Sequence, residues 1–152
     1  MIDRSKIGTE LTPVVAHVEA GRIRSFARAI GETNPIYFDE SAARAAAYPS
    51  LPVPPTYLFC LMMLDSPAPF EILDVLRVDI ARLLHGEQSF SYHSPACAGD
   101  RVVFRERISD IYDRKGGLLE FIVGDTIVTN QREEQVADLR RVLVVRNMEG
   151  PG

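Results

Sequence analysis

The sequence predicts a two-layer α+β domain in which an antiparallel sheet of about five strands packs against one buried helix. The chain has 152 residues, which is the length of a single domain. Its composition changes near residue 80, because eight of the ten prolines precede that point. After it, apolar and polar residues alternate in several runs, as half-buried strands require. A helical half followed by a sheet half is therefore expected.

The first half is predicted to contain a strand and two peripheral helices. A short strand over residues 14–18 precedes a helix that begins at Glu19, since apolar residues then recur at helical spacing. Gly31 is typical of the end of that helix. Asp39 is a typical N-cap for a short, alanine-rich helix over residues 40–47.

One segment of the first half is apolar on every side of a helix. It covers about residues 55–64, and a helix without a polar side is typically buried. Pro55 suits the first turn of such a helix, where a missing N–H group costs little. We expect this segment to form the central helix, against which the sheet packs.

The second half is predicted to form the main strands of the sheet. Short polar turns, at 113–117 and 131–134, separate the last three runs and are typical of hairpins. The alternating runs cover residues 82–93, 101–112, 118–130 and 135–146.

Composition excludes several classes of function. The net charge of −4 and a pI near 5.4 argue against binding to nucleic acid, which favours a basic surface. No apolar run approaches the roughly 20 residues of a membrane span, and no signal peptide is recognisable. Cys60 and Cys97 are far apart, which indicates neither a metal site nor a disulfide framework. The expected setting is the cytoplasm, with no cofactor.

Two runs of the sequence resemble the MaoC-like (R)-specific hydratase/dehydratases. They are AIGETNPIYFDESAARAAAYPSLPVPPTY and LLHGEQSFSYHSPACAGDRV, and the second is similar to the FAS1-like dehydratase branch of that family. This branch includes the substrate-binding subunit of a mycobacterial mycolic-acid dehydratase. The motifs NP-x-x-x-D, PPT and HGEQ-x-F-x-Y stand in the family's order. The resemblance implies a single hotdog domain over residues 1–152, with an overhang segment at about residues 31–55.

The resemblance implies the addition of water to a trans-2-enoyl thioester, or the reverse reaction. This chemistry requires groups that take and deliver protons, and donors for the thioester oxygen. In active members the overhang reads G-D-x-N-P-I-H, and its Asp and His act on one water. Glu32 and Tyr37 stand at those positions here. Because a phenol with a pKa near 10 is a poor base at neutral pH, the resemblance implies retained binding with impaired acid–base chemistry.

The candidate site residues carry alternative interpretations. Glu32 and Asn34 can equally cap a turn, and the Tyr37 ring can simply pack. His85 is either a substitute base or an interior histidine, and Gly86 beside it would let a ligand approach the strand. Thr56 would supply an N–H group at the N-terminus of the central helix. The candidate catalytic residues are Glu32, Tyr37 and His85. The candidate substrate-binding residues are Asn34, Pro55, Thr56, Tyr57 and Gly86.

Three functional hypotheses follow from these residues. The first is an acyl-thioester-binding subunit that pairs with a second hotdog chain carrying the intact Asp and His. The second is a homodimeric hydratase that uses Glu32 with His85 or Tyr37. The third is a non-catalytic acyl-CoA sensor. In each case the ligand is a thioester of coenzyme A or acyl carrier protein, and the open sheet edge predicts a homodimer or heterodimer.

Overall fold

The computed structural model describes residues 1–147, and the rest of the predicted domain, residues 148–152, lies outside the described residues. The predicted antiparallel five-stranded sheet around a buried helix is confirmed. No helix within residues 1–147 is long and apolar enough to cross a membrane. The elements are β1 (Val14–His17), α1 (Ala20–Ala29), α2 (Glu40–Ala45), α3 (Tyr57–Asp65), α4 (Glu71–Leu76), β2 (Leu83–Tyr92), β3 (Arg101–Arg114), β4 (Leu119–Asn130) and β5 (Gln135–Arg146).

The sheet has the strand order β1-β3-β4-β5-β2, and every neighbouring pair is antiparallel. β1 and β2 are therefore the edge strands. Register shifts interrupt β2 between His85 and Glu87, and β3 between Ile108 and Asp110. Such bulges increase local twist and help the sheet to curl around α3.

The central helix α3 begins later than predicted. Its N-cap is Thr56, which has a left-handed backbone with φ of 71°, so Pro55 precedes the helix and does not lie in its first turn. Leu58 and Leu61 are buried against the concave side of the sheet. The prediction of a fully apolar, buried helix is correct for this side of α3.

Four short helical segments were not predicted from the sequence: helix α4 and the 3-10 turns Arg4–Lys6, Pro35–Tyr37 and Ile80–Arg82. Helix α4 has only six residues, too few for a helical period to stand out, yet Ile72, Leu73 and Leu76 are buried against the sheet. The overhang segment contains a 3-10 turn over Pro35–Tyr37, ahead of α2. The overhang therefore has defined local structure.

A row of polar residues crosses the concave face of the sheet and divides the apolar core. Glu106 on β3 and Arg141 on β5 form a bidentate ion pair at 2.6 and 2.7 Å, with only 8% and 6% of each residue exposed. Gly124 on the intervening strand β4 leaves the space that this pair occupies. Gln88 on β2 lies opposite Arg141. Its Oε1 atom is buried, and it is the one buried side-chain nitrogen or oxygen atom within residues 1–147 that lacks a hydrogen-bond partner.

The polar row separates two apolar clusters with different partners. The first cluster contains Leu58 and Leu61 of α3 with Phe104 and Leu139 of the sheet. The second cluster packs α4 against the other half of the concave face. The N-terminal half of α3 and the overhang consequently belong to the first cluster.

A side chain at position 124 is expected to break the buried ion pair. A Cβ atom at Gly124 would overlap the Glu106 carboxylate and lie 3.4 Å from the Arg141 Cγ. Gly124→Ala should therefore lower the free energy of unfolding by about 3–5 kcal/mol, measured by urea denaturation. Gly21→Ala is the control, because a Cβ at that helical position meets nothing within 4 Å and should stabilise by about 0.5–1 kcal/mol. Equal effects of the two substitutions would contradict this account.

Removing Arg141 is expected to make stability depend more strongly on pH. Burial raises the pKa of Glu106, and the neighbouring Arg141 partly lowers it, so Arg141→Met should raise that pKa further. A carboxyl whose folded pKa exceeds its unfolded value contributes stability below the unfolded pKa and loses it as pH rises through the folded pKa. The loss of stability in Arg141→Met should therefore grow as pH rises from about 4.3, the ordinary Glu value, towards neutrality.

Urea denaturation at several pH values measures this effect. Arg140→Met is the matched control, because Arg140 pairs with Asp125 at the surface and such pairs contribute about 1 kcal/mol or less. A loss of stability in Arg141→Met that is the same at every pH would show that Glu106 does not titrate in the folded chain.

Candidate functional site

The overhang begins where α1 ends, and Glu32 caps its first turn. Glu32 Oε1 accepts hydrogen bonds from the backbone N–H groups of Thr33 at 2.8 Å and Asn34 at 2.9 Å. The exposed Asn34 in turn accepts a bond of 3.2 Å from the N–H group of Ile36 and begins the 3-10 turn. Both side chains thus perform the capping role that the sequence analysis left open beside their candidate roles.

Tyr37 lies at the end of the same turn and is half-buried against the first apolar cluster. Burial raises the pKa of its phenol, and the neighbouring Glu32 carboxylate raises it further. The phenol is therefore neutral near pH 7. At this position Tyr37 can donate a hydrogen bond but cannot serve as an efficient base.

The N-terminus of α3 lies beside the overhang, and its first N–H group already has a protein partner. Thr56 donates its backbone N–H to the hydroxyl of Tyr92, at 2.9 Å. The side chain of Thr56 makes no capping hydrogen bond, so the Tyr92 hydroxyl is a partner for the N–H group of the N-cap residue and does not replace the missing side-chain cap. Tyr57 is buried, and its ring contacts that of Phe26 with centroids 4.7 Å apart. Pro55 and Thr56 are exposed.

Tyr92 is the functional candidate that sequence reasoning missed. It is the last residue of β2 and pairs with Ala137, which places it on the concave face with Phe90. The alternation of HGEQ-x-F-x-Y contained this signal, because Tyr92 has the same parity as the partly buried Phe90. The structure thus brings Glu32, Tyr37, Thr56 and Tyr92 to one end of the molecule.

His85 lies apart from this group. It stands seven positions before Tyr92 on β2, which corresponds to roughly 20 Å along a strand. Its ring contacts that of Phe59 with centroids 5.2 Å apart, and the residue is exposed and not interior. A role for His85 together with Glu32 or Tyr37 stays a prediction that this geometry does not favour.

Gly86 occupies a bulge in β2 where the neighbouring strand approaches closely. A Cβ atom there would lie 2.8 Å from the Val144 side chain and 3.2 Å from the Val142 carbonyl oxygen. The missing side chain therefore serves strand packing. Contact with a ligand at Gly86 stays a prediction.

An apolar groove opens between α1 and α3, next to the overhang. Its volume is about 610 Å³, within the range of small-molecule sites. Tyr57, Cys60 and Met63 line it from α3, whereas Met62 is buried in the core. An ion pair between Arg22 and Asp65, at 2.7 Å, lies at the end of α3. Met62 and Met63 are adjacent in the sequence, and only Met63 faces the groove.

Metal binding has no support in the part of the chain that the structure describes. Within residues 1–147, no group of three or more His, Cys, Asp or Glu side chains is placed to hold a metal ion. Cys60 and Cys97 are both free thiols, and burial raises the pKa of each. Neither thiol is therefore activated as a nucleophile.

Comparison with known proteins decides the family. A family profile described as "FAS1-like, dehydratase domain region" matches residues 5–139. The chain belongs to this family. A UPF0336 protein of Saccharopolyspora erythraea is 37% identical to this FAS1-like dehydratase domain over 147 residues, which cover 95% of this chain and 92% of the relative.

Solved structures confirm the hotdog fold of this FAS1-like dehydratase domain. A chain of the C-terminally truncated HadBC (3R-hydroxyacyl-ACP dehydratase) complex of Mycobacterium tuberculosis is 28% identical, with a TM-score of 0.77 and coverage of 91% of this chain and 96% of that one. The (R)-hydratase of A. caviae is 18% identical with a TM-score of 0.70, and covers 90% and 94% of the two chains. The predicted resemblance to MaoC-like dehydratases is confirmed.

A side chain at position 86 is expected to weaken the FAS1-like dehydratase domain. Gly86→Ala should lower the free energy of unfolding by about 1–3 kcal/mol, as overpacking usually does, and Val144→Ala should restore part of the loss. Ser91→Ala, an exposed position on the same strand, is the control for urea denaturation. A Gly86→Ala variant as stable as this control would show that the close strand contact imposes no constraint.

Proposed function

We propose that the chain is the acyl-thioester-binding subunit of an (R)-specific enoyl-thioester hydratase or 3-hydroxyacyl-thioester dehydratase. In this proposal a second hotdog chain supplies the Asp and His that act on water. The 28% identical neighbour comes from a complex of 3R-hydroxyacyl-ACP dehydratase, which supports both the reaction class and the pairing.

The resemblance implies that Glu32 and Tyr37 replace the acid–base groups of the overhang, and one observation carries the proposal: the first caps a turn and the second is held neutral. Glu32 Oε1 accepts two backbone hydrogen bonds. Tyr37 is held neutral, since burial and the Glu32 carboxylate raise the pKa of its phenol. In this proposal neither residue takes the proton from water, and that step is assigned to another chain.

The apolar groove supports binding of an acyl chain. It begins beside the overhang at Tyr57 and follows α1 and α3. Its lining is largely apolar, and its volume of about 610 Å³ is sufficient for a small ligand. An acyl chain in this groove would extend from a thioester held near the start of α3.

The free edge of β2 supports pairing with a second chain. This strand has ten residues and pairs on one side only, with β5. Leu84 and Tyr92 on it are each 51% exposed. An edge strand of this length, with exposed apolar residues and no proline, favours extension of the sheet by a partner strand.

Hydration of short and long trans-2-enoyl-CoA by the purified chain alone tests the proposal. We expect acyl-CoA binding, measured by calorimetry, without turnover. Addition of a hotdog chain that carries the overhang Asp and His should then produce turnover.

Glu32→Gln is assayed in parallel, because glutamine keeps the oxygen that accepts the two backbone hydrogen bonds. The control is Asp74→Asn, an exposed carboxylate on α4. Turnover by the chain alone that Glu32→Gln abolishes would overturn the proposal in favour of a homodimeric hydratase. Binding that never leads to turnover with any such partner would favour a sensor, and absence of binding would exclude all three hypotheses.

A further inference from the structure

The hydroxyl of Tyr92 binds the backbone at the start of helix α3, next to the overhang. Its hydroxyl oxygen accepts the backbone N–H of Thr56 at 2.9 Å, and these two residues are 36 positions apart in the sequence. This N–H group is the first of those, from Thr56 onward, that the resemblance leaves as donors to a thioester carbonyl. The tyrosine therefore occupies one of the donors at this helix N-terminus.

The hydrogen bond from Thr56 leaves Tyr92 as a directed donor. A phenol that accepts a bond at its oxygen still carries its own O–H proton, which must point to another partner. The residue is 51% exposed, which leaves it open to a ligand from outside the chain. Linked hydrogen bonds polarise one another, and the positive end of a helix favours negative charge nearby. Both effects strengthen Tyr92 as a donor.

Tyr92 also lies beside the replaced residues of the overhang. Tyr37 is close enough to Glu32, Tyr48 and Tyr92 for each of them to affect its ionisation. The Tyr92 hydroxyl therefore belongs to the same end of the molecule as the two positions where the family's Asp and His stand.

We propose that the Tyr92 hydroxyl, and not the Thr56 N–H, donates the hydrogen bond to the carbonyl oxygen of the bound acyl thioester. This inference rests on the proposed function, because it requires that the chain binds an acyl thioester. The Thr56 N–H then acts through Tyr92, whose oxygen it holds in place. Preorganised donors at a developing oxyanion, tyrosine among them, are a frequent source of catalytic stabilisation.

The test uses butyryl-CoA labelled with ¹³C at the thioester carbonyl, which binds without reacting. Isotope-edited infrared spectroscopy of the complex with the full chain should show the carbonyl band at lower frequency than in free butyryl-CoA. Tyr92→Phe should abolish this shift and weaken binding by about tenfold, the effect of one lost hydrogen bond. Tyr48→Phe is the matched control and should keep both the shift and the affinity.

A second variant keeps the test valid if Tyr92→Phe does not fold. Replacement of Tyr92 by 3-fluorotyrosine retains the ring and hydroxyl but makes the phenol a stronger donor, so the carbonyl shift should increase. A shift that Tyr92→Phe retains, or that fluorination leaves unchanged, would overturn the role of Tyr92 and leave the proposed function intact. Failure of the unmodified chain to bind butyryl-CoA would overturn both.

Discussion

Burial of α3 is the constraint on which the remaining structure depends. The helix is apolar on all sides, and each large side chain that moves from water to the interior stabilises the fold by about 1.5–3 kcal/mol. The curled sheet covers one side, where Leu58 and Leu61 are almost completely inaccessible. Helix α1 covers the opposite side only in part, and Leu64 stays 67% exposed. The same requirement for burial thus produces both the core and the open apolar groove beside the overhang.

The polar row beneath α3 shows how that core is divided. Buried ion pairs seldom stabilise a fold more than apolar residues of similar volume would, but they strongly penalise any arrangement that leaves one partner alone. Glu106, Gly124 and Arg141 must therefore occupy matching positions on three neighbouring strands. This requirement favours one register of the sheet. It also separates the cluster that supports the overhang from the cluster that holds α4.

At the overhang the two candidate acid–base side chains have different surroundings. The Glu32 carboxylate caps the turn, and burial together with that carboxylate raises the pKa of the Tyr37 phenol, which is neutral near pH 7. The hydroxyl of Tyr92 on β2 accepts a hydrogen bond from the Thr56 N–H group at the start of α3. The polar groups at this end of the molecule consequently accept hydrogen bonds from the backbone, and the two phenols can also donate hydrogen bonds.

Local patterns were sufficient to predict much of this architecture. All five strands are correct to within about two residues, because side chains that alternate between core and solvent have a period of two. The cap at Asp39 was also predictable, because it depends only on residues that follow it. Three features were not predictable in this way: the left-handed backbone of Thr56, the six-residue helix α4, and the hydrogen bond from Thr56 to Tyr92. Glu106 and Arg141 are 35 positions apart, and Thr56 and Tyr92 are 36 apart. Contacts at that separation depend on strand register and sheet curvature, which arise only when the whole chain packs.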